Sequence, residues 1–394
     1  MTTTTQAPAP VPGSTAHSDG GWAPIQTRSE RPRSFHAADF ERPSGREVNW
    51  KHTPVDRLSP LFENVDGDAE AVTLTVTAPD GVVAAPKRAA DAPRGEVFVP
   101  EDLAAAIAWE RAVEALHVRI PASAELSEPV VVDVHGNGGL THANVLIEAE
   151  PNSHAIVLLR HSGSVQVAAN VEILVRDGAH LTVITVQQWA DDAVHAASHQ
   201  ARVDRDATLR HIVVSFGGGV VRVNPSVELA GTGSQGELYG LSFSDAGQHL
   251  ESQVYLFHKG AETRGDVLYK GALQGAGARS VWIGDVLIGP DAVGTDSYEA
   301  NRNLVLTDGA RAESIPNLEI ETGDIRGAGH ASATGRFDDE QLFYLQARGI
   351  SEEEARRLVV IGFLSEIVQR IGIPELEAEL SAAIEAELME GTAL

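Results

Sequence analysis

Pro316-Asn317-Leu318-Glu319-Ile320 leads through Gly329-His330-Ala331 into Thr334-Gly335-Arg336-Phe337-Asp338-Asp339-Glu340-Gln341-Leu342-Phe343-Tyr344-Leu345 and on to Arg348-Gly349-Ile350. Within that stretch a two-residue apolar alternation gives way to a helical period, so it divides a strand-rich body from a helical end. Upstream, from about Pro121 to Arg336, short alternating segments are separated by Gly, Asp and Asn. Ile212, Val214 and Phe216 share a face, as do Val227 with Leu229, Val254 with Leu256, Val281 with Ile283, and Leu304 with Leu306. Turn punctuation recurs at Asp177-Gly178-Ala179, Arg205-Asp206-Ala207, Gly275-Ala276-Gly277-Ala278 and Asp308-Gly309-Ala310-Arg311. Gly and Asp suit these corners because they tolerate positive φ. A stack of β coils of about 20–25 residues would bury an inner Val/Ile/Leu stripe in roughly nine coils, each rising ~4.8 Å. An antiparallel sandwich fits the alternation equally well, and the pattern alone leaves both open.

Downstream, Asp338 has N-cap chemistry with Gln341 three residues on, Phe337 and Leu342 stand at hydrophobic-staple positions, and Gly349 closes the helix. Ser351 and Glu354 have capping-box spacing ahead of Leu358, Ile361, Leu364 and Val368. Pro374 opens a third helix whose Leu376, Leu380, Ile384 and Leu388 form a narrow stripe flanked by glutamates. Its plain reading is packing within its own domain. On the other side of the body, residues 22–120 are mixed, with a strand signal at Val72–Thr77 and an Ala-rich helix expected over Glu101 to His117. Met1 to Ser14 is rich in Thr, Pro and Ala and lacks the charged and apolar regions of a signal peptide, so residues 1–21 read as a disordered lead-in.

The 30 Lys+Arg against 56 Asp+Glu leave a formal charge of -26, which repels a phosphate backbone and argues against a nucleic-acid partner. Zero cysteines exclude disulfides and thiolate ligation of a metal by this chain, so another chain must supply any sulfur ligands. The apolar stretch Leu358 to Leu364 falls far short of the ~20 residues of a membrane span, and a soluble, cytoplasmic protein is expected.

Several motifs are weighed and set aside. Gly231-Thr232-Gly233-Ser234-Gln235-Gly236 matches Gly-x-Gly-x-x-Gly, but Glu237 to Phe243 reads as strand where a dinucleotide site needs a helix. His195 and His199, near Asp191 and Asp192, have a spacing compatible with a metal, though a polar structural stretch explains them better. His154, His161, His211, His249 and His258 share no spacing and read as structural. No phosphate loop and no Gly-x-Ser-x-Gly elbow occurs, which points away from a nucleotide engine or a hydrolase.

The junction from Pro316 to Ile350, together with Trp50-Lys51-His52-Thr53-Pro54, resembles the SufB/SufD family, the non-ATPase subunits of the SUF iron–sulfur cluster assembly system. The chain is short for a SufB and has no cysteine to receive sulfur, so it is more similar to SufD-type members. The resemblance implies a mainly β fold: a right-handed parallel β-helix core over 121–336, a mixed α/β domain over 22–120 and an α-helical domain over 337–394. It further implies a non-enzymatic scaffold subunit that pairs β-helix edges with a SufB-like paralogue, or with itself as a homodimer, and docks the SufC ATPase on its C-terminal domain. That docking would involve Phe337, Asp338, Leu342, Phe343, Tyr344, Leu345, Arg348 and Gly349.

In SufD-type chains a histidine at the place of His330 is implicated in cluster assembly at the interface with SufB. Imidazole is a competent iron ligand and proton carrier, and the alternative for His330 is a backbone-satisfied histidine closing the last coil. Some relatives carry a cysteine two residues earlier, where this chain has Ala328, which argues against a thiol from this subunit. The cluster would form transiently with a partner and not on this chain alone. Reduced flavin is a further expectation as an iron-reducing source, although no residue marks a flavin site. A β-helix carbohydrate-active enzyme would share the core, but with aromatics at 5% the chain offers few sugar platforms.

Overall fold

Ser123, Asn152, Gly178, Asp206, Gly233, Glu262 and Gly294 all adopt positive φ. The backbone N–H of each but the last donates to the carbonyl just before the next such residue, as in Gly178 to Arg205 at 2.9 Å and Asp206 to Thr232 at 3.0 Å. Chain segments that turn at stacked corners must run parallel between them, and that decides the architecture. The computed structural model describes residues 31–336 and 339–391. The expected lead-in and the expected roles of Phe337 and Asp338 lie outside the described residues, as does the side chain of Leu342.

The strands are β1 (Val72–Thr77), β2 (Val83–Arg88), β3 (Glu114–Ile120), β4 (Val130–Ala149), β5 (His154–Val175), β6 (His180–Trp189), β7 (Val194–Val203) and β8 (Thr208–Ser215). They continue as β9 (Val220–Leu229), β10 (Gln235–Ser244), β11 (His249–His258), β12 (Arg264–Leu273), β13 (Arg279–Ile288), β14 (Thr295–Val305), β15 (Arg311–Ile320) and β16 (Ile325–Arg336). Two parallel ladders run the length of the body. One stacks the first halves of β4 and β5, then β6, β8, β10, β12, β14 and β16; the other stacks β3, the second halves of β4 and β5, then β7, β9, β11, β13 and β15. This is a parallel β-helix of about eight coils, and the parallel register disposes of the sandwich.

The coils are longer than expected. Successive corners are separated by 26 residues (Asn152 to Gly178) up to 32 (Glu262 to Gly294), against the 20–25 read from sequence. Each coil spends about ten residues on each ladder before turning, so fewer coils fill the same length. A small buried residue follows the corners from Asn152 onward, Ala179, Ala207, Ser234, Thr263 and Thr295 among them, and fills the edge of the lumen. Gly233 shows why glycine serves here: its φ is +75°, and a Cβ would stand 2.5 Å from Asp206 Oδ1. The Gly231–Gly236 motif is thus a corner leading into β10, and no helix follows it.

Helix α1 (Leu103–Arg111) is capped by Asp102, whose side chain accepts from the Ala105 N–H at 2.9 Å. The helix expected to run to His117 ends at Arg111. Residues 114–120 form β3 instead, because that segment pairs in parallel with β4 and antiparallel with β2, and tertiary pairing outweighs the alanine-rich propensity. Strand β1 adds antiparallel to β4. Trp50, Leu58, Leu61, Phe62 and α1 bury themselves against Ala168, Ala196 and Val220, so the N-terminal segment covers one outer face of the β-helix.

The opposite face is covered by the C-terminal helices. After α2 (Asp339–Gln346), Gly349 takes φ +84°, and Ser351 caps α3 (Glu352–Val368) by accepting from the Glu354 N–H; α4 (Pro374–Gly391) follows. Val360, Leu364, Ile367, Leu376, Leu380 and Ile384 pack on Ile184, Ile212, Val214, Tyr239, Leu241 and Phe243. Full burial of each such aliphatic side chain contributes about 1.5–3 kcal/mol, so the apolar stripe of α4 is consumed within the chain's own core. Among the described residues no helix is long and apolar enough to cross a membrane.

Candidate functional site

Both ladders end in strands with one neighbour each. Among the described residues nothing pairs with the outer edges of β15 and β16, and the lumen between them opens there. Sequence alternation sets which side chains enter that mouth. In β14 the buried polar residues are Thr295, Ser297, Glu299, Asn301 and Asn303, with Asp296, Tyr298 and Arg302 exposed between them, so the β14 side of this coil's interior is polar. The register places Ser297 under Ala328, Glu299 under His330, Asn301 under Ser332 and Asn303 under Thr334. Ser332 Oγ donates to Ser314 Oγ across the mouth at 2.8 Å.

His330 is half-exposed, with its Nδ1 3.8 Å from Glu299 Oε1, whereas the Glu299 side chain is only 1% exposed. Neither Glu299 oxygen accepts a hydrogen bond of ordinary geometry. Burial pushes this carboxyl up to about 8, Asp285 adds to the rise, and the Asn317 backbone N–H opposes it. Across the lumen Gly284 makes room: a Cβ there would stand 2.4 Å from Glu299 Oε2. Trp282 Nε1 and Tyr269 Oη in the preceding strands, and Asn303 Oδ1 on β14 itself, are buried and also lack hydrogen-bond partners. The site is therefore a polar wall of the lumen in which a half-exposed imidazole stands over a buried, unsatisfied carboxyl. Sequence reasoning singled out His330 and passed over Glu299; the available signal was the alternation in Thr295–Val305, where polar residues occupy the inward positions.

The other histidines have different surroundings. His195 and His199 lie on the inward side of β7, in contact with Gln187, Trp189 and His211 and apart from Asp191, which accepts from Gln248. Burial lowers the proton affinity of His195 and His199 and brings His161 and His211 to about 4, so these rings are neutral. His258 is satisfied on both nitrogens, by Thr263 and Ser297. Among the described residues no three His, Asp or Glu side chains are grouped so as to hold a metal ion by themselves.

The expected ATPase-docking residues split. Phe343 and Tyr344 on α2 are exposed at 72% and 56%, with the Arg348 guanidinium 4.7 Å over the Tyr344 ring, while Leu345 is half-buried. Two adjacent exposed aromatics at the outer end of a helical domain are a surface suited to a partner.

The family model for the SufBD core domain of SUF system FeS cluster assembly matches residues 132–363. An iron–sulfur cluster assembly SufBD family protein of Mycobacterium bovis is 47% identical over 386 residues, 96% of each chain. One from Mycobacterium leprae is 46% identical, covering 90% of this chain and 93% of its own. A second SufBD family protein of Mycobacterium leprae is 30% identical over 224 residues, 57% of this chain and 25% of its own.

Proposed function

Because the chain belongs to the SufBD family of the SUF iron–sulfur cluster assembly system, we propose that it is a SufD-type scaffold subunit that works in the cytoplasm without catalytic activity of its own. It pairs the open edges of β15 and β16 with a SufB-like paralogue and binds a SufC-like ABC ATPase through α2. The observation that carries this reading is the uncovered lumen mouth with His330 at its rim. The N-terminal segment and the C-terminal helices each cover an outer face of the β-helix, whereas an exposed strand edge is a template for another chain. Iron, sulfide and reducing equivalents, the last from reduced flavin, arrive as substrates, and the paralogue contributes the thiolates that this chain lacks.

ATP-driven association of two ATPase copies would strain the paired β-helices through the helical domains. It can open the interface only to the extent that ATPase binding favours the open arrangement over the closed one. The covered outer faces make each β-helix a rigid lever for that motion. Affinity purification from native extract is expected to recover both an ABC-type ATPase and a cysteine-bearing paralogue. Replacing Phe343 and Tyr344 with alanine is expected to cost the ATPase at least tenfold in recovery and to leave the paralogue bound. Recovery as a monomer without either partner refutes the reading, and recovery as a homodimer with the ATPase replaces the paralogue by a second copy.

A further inference from the structure

We propose that Glu299 and His330 together form half of a metal site at the lumen mouth, binding a divalent first-row ion of the iron(II) class through one carboxylate oxygen and one imidazole nitrogen. This deepens the preceding reading and rests on it for the identity of the metal as iron.

A buried carboxyl with neither oxygen hydrogen-bonded is a costly feature, and folded proteins keep such groups only where something else satisfies them. The Asn317 backbone N–H approaches the carboxyl without reaching ordinary hydrogen-bond geometry, and the imidazole it faces, His330 at 3.8 Å, is too far for a hydrogen bond. Two ligand atoms each about 2.1 Å from one ion stand roughly 3.0–3.5 Å apart. A small turn of the half-exposed imidazole therefore converts the observed separation into a bridged one.

Gly284 leaves the carboxylate the space it occupies, because any side chain there would collide with Oε2. The carboxylate is held by a rigid ladder while the imidazole can adjust, which suits a site that must load and release its ion. An imidazole with a carboxylate is a borderline-to-hard donor pair that fits iron(II), manganese or zinc better than copper(I). The half-exposed imidazole leaves such a site within reach of the mouth, from which water or a partner chain can complete the coordination.

Anaerobic titration of the full chain with cobalt(II), a spectroscopic stand-in for iron(II), tests the proposal. Wild type is expected to bind one equivalent saturably, and Glu299→Gln and His330→Gln are each expected to weaken binding at least tenfold. Glu299→Gln keeps the side-chain volume, and the thermal midpoint of each variant shows whether it has folded. Should Glu299→Gln fail to fold, cobalt X-ray absorption on wild type decides instead, with one imidazole and otherwise oxygen donors expected. Absence of saturable binding, wild-type affinity in folded Glu299→Gln, or a shell without imidazole overturns the proposal. Paralogue pairing is read separately: metal binding without pairing sinks only the scaffold reading, and pairing without metal binding sinks only this one.

Discussion

Two buried glutamates show how surroundings decide what a carboxyl does. Glu251 is fully buried beneath the N-terminal segment, where Arg222 Nε at 3.0 Å, Thr53 Oγ1 at 2.9 Å, Gln253 Nε2 at 2.7 Å and His249 Nε2 at 3.0 Å all surround it. Burial alone would raise its carboxyl; the His249 hydrogen bond and the Arg222 charge overcome that and hold it at about 2. A depressed carboxyl contributes stability that is present above its unfolded value of about 4.3 and is lost as pH falls toward the folded value. Glu251→Ala leaves the Arg222 charge buried without its main partner, and the expected cost is about 3–5 kcal/mol at pH 7, measured by denaturant unfolding. Loss of less than ~1 kcal/mol would show that this cluster does not anchor the N-terminal cover. Glu299, buried as deeply without such partners, is pushed in the opposite direction.

Within the stacked coils, the inward histidines of β5, β7 and β8 have an energetic consequence. Burial holds His161 and His211 neutral down to about 4, whereas an unfolded histidine takes a proton near 6.5. Between those values the unfolded chain binds more protons, so stability rises with pH and falls on acidification. The thermal midpoint is expected to drop steadily from pH 7 to pH 4.5, and His211→Gln is expected to shallow that slope. A midpoint flat across the window in wild type would contradict the neutral lumen. The corner stack is the other device at this scale: each coil is pinned to the next by a left-handed residue whose N–H is already committed, which fixes the register of the following strand.

For the molecule as a whole, the decisive asymmetry is between covered faces and an open end. The N-terminal segment and α1 cover one face, α3 and α4 the other, and β1 and β2 pair antiparallel at the first coils. Nothing equivalent stands over β15 and β16 among the described residues. Ala331 and Ala333 on the exposed outer side of β16 provide a test, since lysine on an edge strand opposes pairing without disturbing the interior. The double lysine variant is expected to keep the wild-type thermal midpoint within a few degrees and to lose the paralogue on size-exclusion chromatography with light scattering. Undiminished pairing would place the interface on another surface.

The sequence by itself determined the local conformations: alternation gave strands, Gly and Asp gave corners, Ser351 and Pro374 gave helix starts, and the junction residues gave the family. These features are legible because each depends on neighbours a few positions away. Pairing direction, coil length and the fate of 114–120 were decided only by tertiary structure, since a strand's partner stands about thirty residues off and no local period encodes it. The candidate site divides on the same line. His330 could be found from the motif around it, whereas Glu299 gained meaning only when stacking brought it beneath that imidazole and placed Gly284 opposite.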